Sequence, residues 1–343
     1  MIKAGIVGAT GYAGAELVRL LASHPQARVE AVSSVSYEGK KLSDVYPNLY
    51  GICDLVLTGA DEVVEKCDVV FASLPHGLSE ELAGKCLAAG KKTIDLGADF
   101  RLDSESEYAE WYGKSYKRPD LHEKALYCIP ELHRSAYRGQ PIIGNPGCYP
   151  SSVALGAAPL FEAGIAEKSM VIDSKSGVTG SGRGLTDTTH FPNCNEAFSA
   201  YKAAAHRHTP EIEQTLSALA GDKVTVTFVP HLLPVNRGIE TTMYVGLTAP
   251  CTAEELHKLY SDRYRGEKFV RVLPLGRAAN IRDVRMSNYC DIGIFADPRT
   301  GRAVITSAID NMVKGAAGQA IQNMNIMFSI EEDCGLDFVP PAF

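Results

Sequence analysis

Ile2-Lys3-Ala4-Gly5-Ile6-Val7-Gly8-Ala9-Thr10-Gly11-Tyr12-Ala13-Gly14 opens the 343-residue chain, and its reading decides the fold class. Ile2 to Val7 reads as a strand. Tyr12 to Ala22 carries apolar residues at helical spacing and ends near His24-Pro25. A glycine turn with a strand before it and a helix after it is the context of a dinucleotide fingerprint. The glycines permit a tight turn and close approach of a pyrophosphate to the helix N-terminus. The spacing is G-x-x-G-x-x-G, not the commoner G-x-G-x-x-G. Gly8, Thr10, Gly11, Tyr12, Ala13 and Gly14 are therefore the candidate cofactor contacts, against the alternative of a tight turn with no ligand.

Outward from this turn, short apolar strands alternate with helical patterns. Val29 to Val32 and Val69 to Ser73 read as strands, Leu78 to Ala89 as a helix, and Thr93 to Leu96 as a further strand. Such βαβ alternation predicts an α/β fold with a Rossmann-type, doubly wound parallel sheet. The second half changes character. Lys223 to Val229, Ile239 to Leu247, Phe269 to Leu273, Ile292 to Ala296 and Ala303 to Ser307 read as strands with fewer helices between them, which predicts a mixed sheet in a second, α+β domain. Asp310 to Met327 reads as one long final helix.

A chain of this length suggests two domains, each burying its own core. Hydrophobic residues make up 45% and charged residues 22%, and the net charge is −7 with no basic block. Nucleic acid and anionic membranes are unexpected partners on that balance. No apolar run approaches a membrane span and no secretory signal is visible. The nine cysteines are scattered without a C-x-x-C pair, which points to a reducing, cytoplasmic setting and away from disulfides or structural zinc.

One cysteine stands apart. Gly144-Asn145-Pro146-Gly147-Cys148-Tyr149-Pro150 lies between an apolar strand, Pro141-Ile142-Ile143, and a helical stretch, Ser151 to Phe161. Unpaired N–H groups and the dipole at a helix N-terminus favour thiolate over thiol, and the thiolate is the nucleophile. The alternative is a small buried hydrophobe in a turn.

Three further stretches carry chemistry. The second strand ends Ala31-Val32-Ser33-Ser34, where an NAD-binding chain usually places a carboxylate; Glu30 stands too early to reach a ribose. Ser33 and Ser34 leave room for a 2′-phosphate, which favours NADP. Ser176-Gly177-Val178-Thr179-Gly180-Ser181-Gly182-Arg183-Gly184 could wrap a cofactor or substrate, with Arg183 for an anion, or be a flexible surface loop. In His206-Arg207-His208-Thr209-Pro210-Glu211, Thr209 reads as an N-cap and Pro210 as the first helical residue. The two histidines could serve a thiol as base; no third ligand of suitable spacing supports a metal.

Together these motifs resemble the N-acetyl-gamma-glutamyl-phosphate reductase family of arginine biosynthesis, within the aspartate-semialdehyde dehydrogenase-like superfamily. The resemblance also runs through Ser73-Leu74-Pro75-His76-Gly77, Asp95-Leu96-Gly97-Ala98-Asp99-Phe100-Arg101, Val229-Pro230-His231-Leu232 and Asn311-Met312-Val313-Lys314-Gly315-Ala316-Ala317-Gly318-Gln319. It implies an NADP-binding domain of residues 1–147 plus 310–343 and a catalytic and oligomerisation domain of residues 148–309, assembled as a homodimer or homotetramer. It implies reduction of an acyl phosphate by NADPH through a Cys148 thioester, with proton transfers at His206 or His208. It also implies substrate contacts at Arg101, Asn145, Arg183 and Glu211, with Arg101 chosen for the phosphate. Further cofactor contacts are implied at Ser73, Pro75, His76, Gly177, Gly180 and Asn311. Two rival readings stand beside it: the same chemistry on aspartyl or carrier-bound aminoadipyl phosphate, and a non-catalytic NADP-binding redox regulator.

Overall fold

The computed structural model describes all of residues 1–343. Met1–Pro146 and Ala316–Asp337 form one compact unit, and Gly147–Gly315 with Phe338–Phe343 form the other. The expected first boundary, after residue 147, falls one residue from the observed one. The second, before residue 310, falls six residues from it, and residues 338–343 pack with the second unit.

The first unit holds β1 (Ile2–Val7), β2 (Ala27–Ser33), β3 (Leu57–Thr58), β4 (Val69–Ala72), β5 (Lys92–Asp95), β6 (Ala125–Tyr127) and β7 (Ile142–Gly144). They form one sheet in the order β3-β2-β1-β4-β5-β7-β6, and all its pairings are parallel. A parallel sheet is covered on both faces, so its central strands read as unbroken apolar runs. All four residues of β4 are buried. The strand order reverses between β1 and β4, and in open α/β sheets the ligand crevice lies outside the strand ends at such a switch point. The Gly318–Met327 helix covers part of this sheet beside the Tyr12–Leu21 helix and β5, with Ala320, Ile321 and Met324 fully buried.

The second unit holds β8 (Ala166–Gly177), β9 (Ser199–Ala200), β10 (Thr225–Leu233), β11 (Ile239–Leu247), β12 (Val270–Val272), β13 (Cys290–Asp297) and β14 (Arg302–Ile309). Their order is β12-β13-β14-β11-β8-β10-β9, with parallel and antiparallel pairs. The Cys148–Glu162 helix lies on this sheet and is almost wholly buried, which its alanine-rich composition permits. The Ser152 hydroxyl meets those of Thr241 and Ser307 from the sheet at 3.1 and 3.0 Å. Alternate residues of β8 and β11 face the other way, among them exposed Val171 and Tyr244. That second face also carries Lys175, which is 3.3 Å from both Asp173 and Glu240.

The fold class is the expected one: a Rossmann-like parallel sheet and a second, mixed sheet. Most strand ends shift by one to four residues, β10 for example running Thr225–Leu233 instead of Lys223–Val229, and three helix boundaries near the site differ. The helix read from Ser151 starts at Cys148 itself, because Pro150 sits where its missing N–H would have no partner in any case. The helix read from Pro210 starts at Thr209, with His208 as N-cap. The long final helix is split. Val313–Ala317 is a turn of π-helix closed by Gly315 N–H to Asp310 O at 3.0 Å, and the α-helix proper begins at Gly318.

Candidate active site

In the first unit the glycine turn is shaped as a cradle. Gly8 has φ +90°, and a Cβ there would lie 2.1 Å from the Ser73 carbonyl oxygen; one at Gly14 would lie 2.3 Å from the Gly8 oxygen. Only glycine lets the turns after β1 and β4 meet this closely. The Tyr12–Leu21 helix has Gly11 as N-cap, with no side-chain cap and no acidic residue in its first turn. Its N-terminus is thus open to an anion. The Thr10 hydroxyl bonds the Ser34 hydroxyl at 2.7 Å, and Ser33 O takes the N–H groups of Gly8 and Ala9. Glu30 is paired with Arg28 at 2.8 Å. The residues present fit the pyrophosphate and ribose end of a dinucleotide.

Ser73, Pro75 and His76 lie in the turn after β4, beside that cradle. Arg101 and Asn145 are buried together: Arg101 Nε donates to Asn145 O at 2.9 Å, and Arg101 Nη2 donates to Leu96 O at 2.9 Å. These two bonds take the Nε–Nη2 edge of the guanidinium that the sequence reading assigns to the substrate phosphate. Asn145 in turn donates to Ala316 O and accepts from Asn323.

In the second unit Cys148 is the first residue of a fifteen-residue helix with no side-chain cap and no acidic residue in its first turn. The dipole at such a helix N-terminus favours negative charge on the sulfur. The contrast with the buried cysteines is direct. Burial pushes the thiols of Cys53 and Cys86 up, and that of Cys67 up to about 12. Gly315 packs against Cys148: a Cβ on it would lie 2.8 Å from Cys148 Cβ.

The helix Thr209–Ala220 brings Glu211 beneath Cys148. Glu211 is fully buried and its Oε1 accepts the Gly147 N–H at 2.7 Å. It pins the residue that caps the nucleophile's helix. His206 is 7% exposed and sits edge-on to Tyr149, Tyr201 and Phe228, with ring centroids 5.4–5.5 Å away. Its Nδ1 accepts the His208 N–H at 3.1 Å, and its Nε2 lies 3.5 Å from Tyr201 Oη. A ring nitrogen that accepts a main-chain N–H carries no proton, so neutral His206 carries its proton on Nε2. Burial, then the charges of Arg207 and Lys202, lower its pKa to about 3. His208 is half-buried, its ring 4.8 Å from that of His206.

Tyr201 was missed in the sequence, where nothing but its nearness to His206 marks it. Its hydroxyl meets that of Tyr149 at 2.9 Å. Burial and the nearby Cys148 sulfur raise both phenols, Tyr201 to about 12. Gly177 and Gly180 are part of a pinned turn rather than a flexible loop. The N–H groups of Gly177, Val178 and Thr179 bond the carbonyls of Gly238, Val235 and Asn236. Asn311 locks the same turn, accepting from Gly238 N–H at 2.7 Å and donating to Thr179 Oγ1 at 3.0 Å. Arg183 is half-buried just beyond it.

The parallel sheet with its glycine cradle, followed by a mixed-sheet unit, defines a pyridine-nucleotide oxidoreductase of two-domain build. Residues 3–140 match the family model "Semialdehyde dehydrogenase, NAD binding domain", and residues 148–311 match "Semialdehyde dehydrogenase, dimerisation domain". Proteins called N-acetyl-gamma-glutamyl-phosphate reductase from Clostridium beijerinckii and Brachyspira hyodysenteriae are 54% and 52% identical to it, with all of both chains covered. One from Symbiobacterium thermophilum is 54% identical over 100% of this chain and 99% of its own. The chain belongs to the N-acetyl-gamma-glutamyl-phosphate reductase branch of the semialdehyde dehydrogenase family. Its fold is also that of aspartate semialdehyde dehydrogenase II from Vibrio cholerae (TM-score 0.74, 17% identity, 96% of this chain and 99% of that one). The enzyme with NADP from Candida albicans shares it (TM-score 0.72, 17% identity, 96% and 98%). No helix is long and apolar enough to cross a membrane.

Proposed function

We propose that the protein reduces N-acetyl-L-glutamyl 5-phosphate to N-acetyl-L-glutamate 5-semialdehyde and phosphate with NADPH, as a step of arginine biosynthesis. The observation that carries this reading is Cys148 at an uncapped helix N-terminus, in a chain about half identical to full-length relatives of that name. His208 takes the Cys148 proton, and the thiolate attacks the acyl carbon. The carbon–oxygen bond to phosphate breaks, the departing phosphate takes that proton from His208, and a thioester remains on Cys148. NADPH, when bound, supplies the hydride that the thioester carbon accepts. The resulting thiohemiacetal oxyanion re-forms its carbonyl, the carbon–sulfur bond breaks, and Cys148 leaves as thiolate. Splitting the substitution from the reduction lowers each barrier separately.

The hydrogen bonds support His208 over His206. Both ring nitrogens of His206 are directed at neighbours and burial keeps it neutral, so it positions His208 and Tyr201 and transfers no proton. Glu211 holds the Gly147–Cys148 turn, and Arg183 with Arg207 are the candidate cations for the substrate's anionic groups. Arg101 acts indirectly, fixing the Asn145 and Leu96 carbonyls. The Ser33-Ser34 end of β2, without a carboxylate and with Glu30 tied to Arg28, supports NADP over NAD. The face of the second sheet that carries Val171 and Tyr244 is our candidate for pairing with a second copy, to be read by light scattering on the purified protein.

The test is a panel of aldehydes with phosphate and NADP: N-acetylglutamate semialdehyde, aspartate semialdehyde and glyceraldehyde 3-phosphate. N-acetylglutamate semialdehyde should be preferred. Cys148→Ser should lose nearly all turnover while still binding NADPH, whereas Cys86→Ser and Cys290→Ser should not. A Cys148→Ser enzyme that keeps about a tenth of wild-type turnover would refute the covalent route, since tenfold is only about 1.4 kcal/mol of barrier.

A further inference from the structure

The turn between β4 and the Ser79–Ala88 helix forms one side of the crevice at the β1/β4 switch point, against the glycine cradle. A loop in that place would normally settle around its ligand. Here it is held by side chains of the same unit that lie outside the crevice. The Asp99 carboxylate, 1% exposed, receives the Gly77 N–H on Oδ1 at 2.5 Å and the Ser79 N–H on Oδ2 at 2.8 Å. The Tyr108 hydroxyl also donates to Oδ1, at 2.8 Å. Asp99 is itself fixed by Asp95 at the end of β5. Asp95 Oδ2 accepts the Asp99 N–H at 3.2 Å, and its Oδ1 accepts the Ser79 hydroxyl at 2.6 Å and the Gly97 N–H at 2.8 Å. The turn's carbonyls are tied as well: Lys114 Nζ donates to His76 O and Lys117 Nζ donates to Gly77 O, each at 2.7 Å.

A buried carboxylate is tolerated only when its oxygens are well supplied with donors. Asp99 has three, and two of them are main-chain N–H groups of the crevice turn, Gly77 and Ser79. Neither carboxylate has a step to perform in the reaction. Asp95 ends β5 and Asp99 lies in the segment that follows it.

We propose that Asp99 is a positioning residue for the nicotinamide cofactor, holding the Pro75–Ser79 turn in its binding shape so that binding need not order it. Asp95 sets the place of Asp99. This rests on the cofactor reading of the crevice given above. An ordering cost met by the protein's own bonds is removed from the binding equilibrium, so loosening the latch weakens affinity for the nucleotide.

The experiment compares wild type, Asp99→Asn and Tyr108→Phe by NADPH fluorescence titration and by amide exchange of the peptide covering residues 73–79. Asparagine keeps the size but offers one acceptor and turns an NH2 group toward the second N–H. In Asp99→Asn the Kd for NADPH should rise about tenfold or more, exchange at Gly77 and Ser79 should speed up, and KM for the aldehyde should stay within about twofold. Tyr108→Phe, an isosteric change that keeps the carboxylate, should shift both readouts the same way by a smaller factor. Should Asp99→Asn not fold, Tyr108→Phe carries the test alone. Wild-type protein that binds neither NADPH nor NADH would sink the cofactor reading and this proposal with it. Wild-type binding together with unchanged Kd and unchanged exchange in the folded variants would overturn the latch alone.

Discussion

Gly315→Ala separates the position of the nucleophile from the stability of the fold. The added methyl would stand 2.8 Å from Cys148 Cβ and 3.2 Å from Cys148 Cα. Carbon atoms in ordinary contact stay about 3.4 Å or more apart, so the two segments must part by roughly 0.6 Å. Gly315 does not have positive φ, so alanine suits its backbone. In a helical turn alanine is favoured over glycine by about 1 kcal/mol, against about 1–3 kcal/mol for overpacking. The net effect on stability should be small. Catalytic groups tolerate far less: displacement near 1 Å costs on the order of 10²-fold in rate. The variant should therefore lose roughly 30- to 100-fold in kcat, about 2–3 kcal/mol of barrier. The assay is phosphate-dependent NADP reduction, run beside thermal melting and iodoacetamide inactivation. Alkylation needs only an ionised, reachable sulfur and should stay within a few-fold. A kcat within threefold of wild type would refute the claim that this glycine sets the place of Cys148.

Three other outcomes are expected. His208→Asn should cut kcat by about 10²-fold or more, whereas His206→Asn should mainly raise KM. Because His206 is held neutral down to about pH 3, any inflection of kcat/KM between about pH 5 and 8 should survive in His206→Asn; its loss in that variant would reverse the assignment. Wild type should prefer NADP to NAD by at least about tenfold in kcat/KM, and Ser33→Asp or Ser34→Asp should shrink or reverse that ratio by repelling the 2′-phosphate; equal efficiency with both in the wild type would count against the serines. Burial, then neighbouring Asp99, raises the Asp95 carboxyl to about 6. Its stabilisation of the fold is complete below about pH 3.8 and fades as pH rises through about 6, up to about 3 kcal/mol in all. The difference in Tm between wild type and Asp95→Asn should accordingly fall from about pH 4 to pH 7, and parallel curves would exclude the raised pKa.

Elements with strong local patterns were legible in the sequence. Ile2–Val7 and Ile239–Leu247 could be read to the residue because apolar runs end at glycine or a turn. The two-residue strands β3 and β9 have too little pattern to read and exist only because a neighbour offers an edge. The start of the Cys148 helix was read three residues late because Cys-Tyr-Pro lacks helix formers, and tertiary burial decides there instead. The break before Gly318 is set by Gly315 against Cys148, a contact between residues far apart in the chain. For the site, residue types were legible and their partners were not. Arg101 looks like a phosphate clamp until its two carbonyl partners are seen. The two histidines become distinguishable only through the His208 N–H on His206 Nδ1. Tyr201 carries no sequence signal, and Asp99 stands in a quoted motif that assigns it no role, because both roles are made by hydrogen bonds across the fold.

The first unit is completed by residues 316–337, made after residues 147–315 of the second. A ribosome adds roughly 5–20 residues per second, so the strands of the parallel sheet wait on the order of 10–40 s for the Gly318–Met327 helix that covers them beside β5. During that interval the flank later buried by Ile321 and Met324 is open to water and to other chains. A nascent chain stalled anywhere in the second unit should behave as a sticky, half-walled sheet, and its rescue should depend on chaperones that hold apolar surface. The last helix acts as a release signal for folding, and substitutions at Ile321 or Met324 should lower the yield of soluble protein more than they lower the Tm of the molecules that do finish.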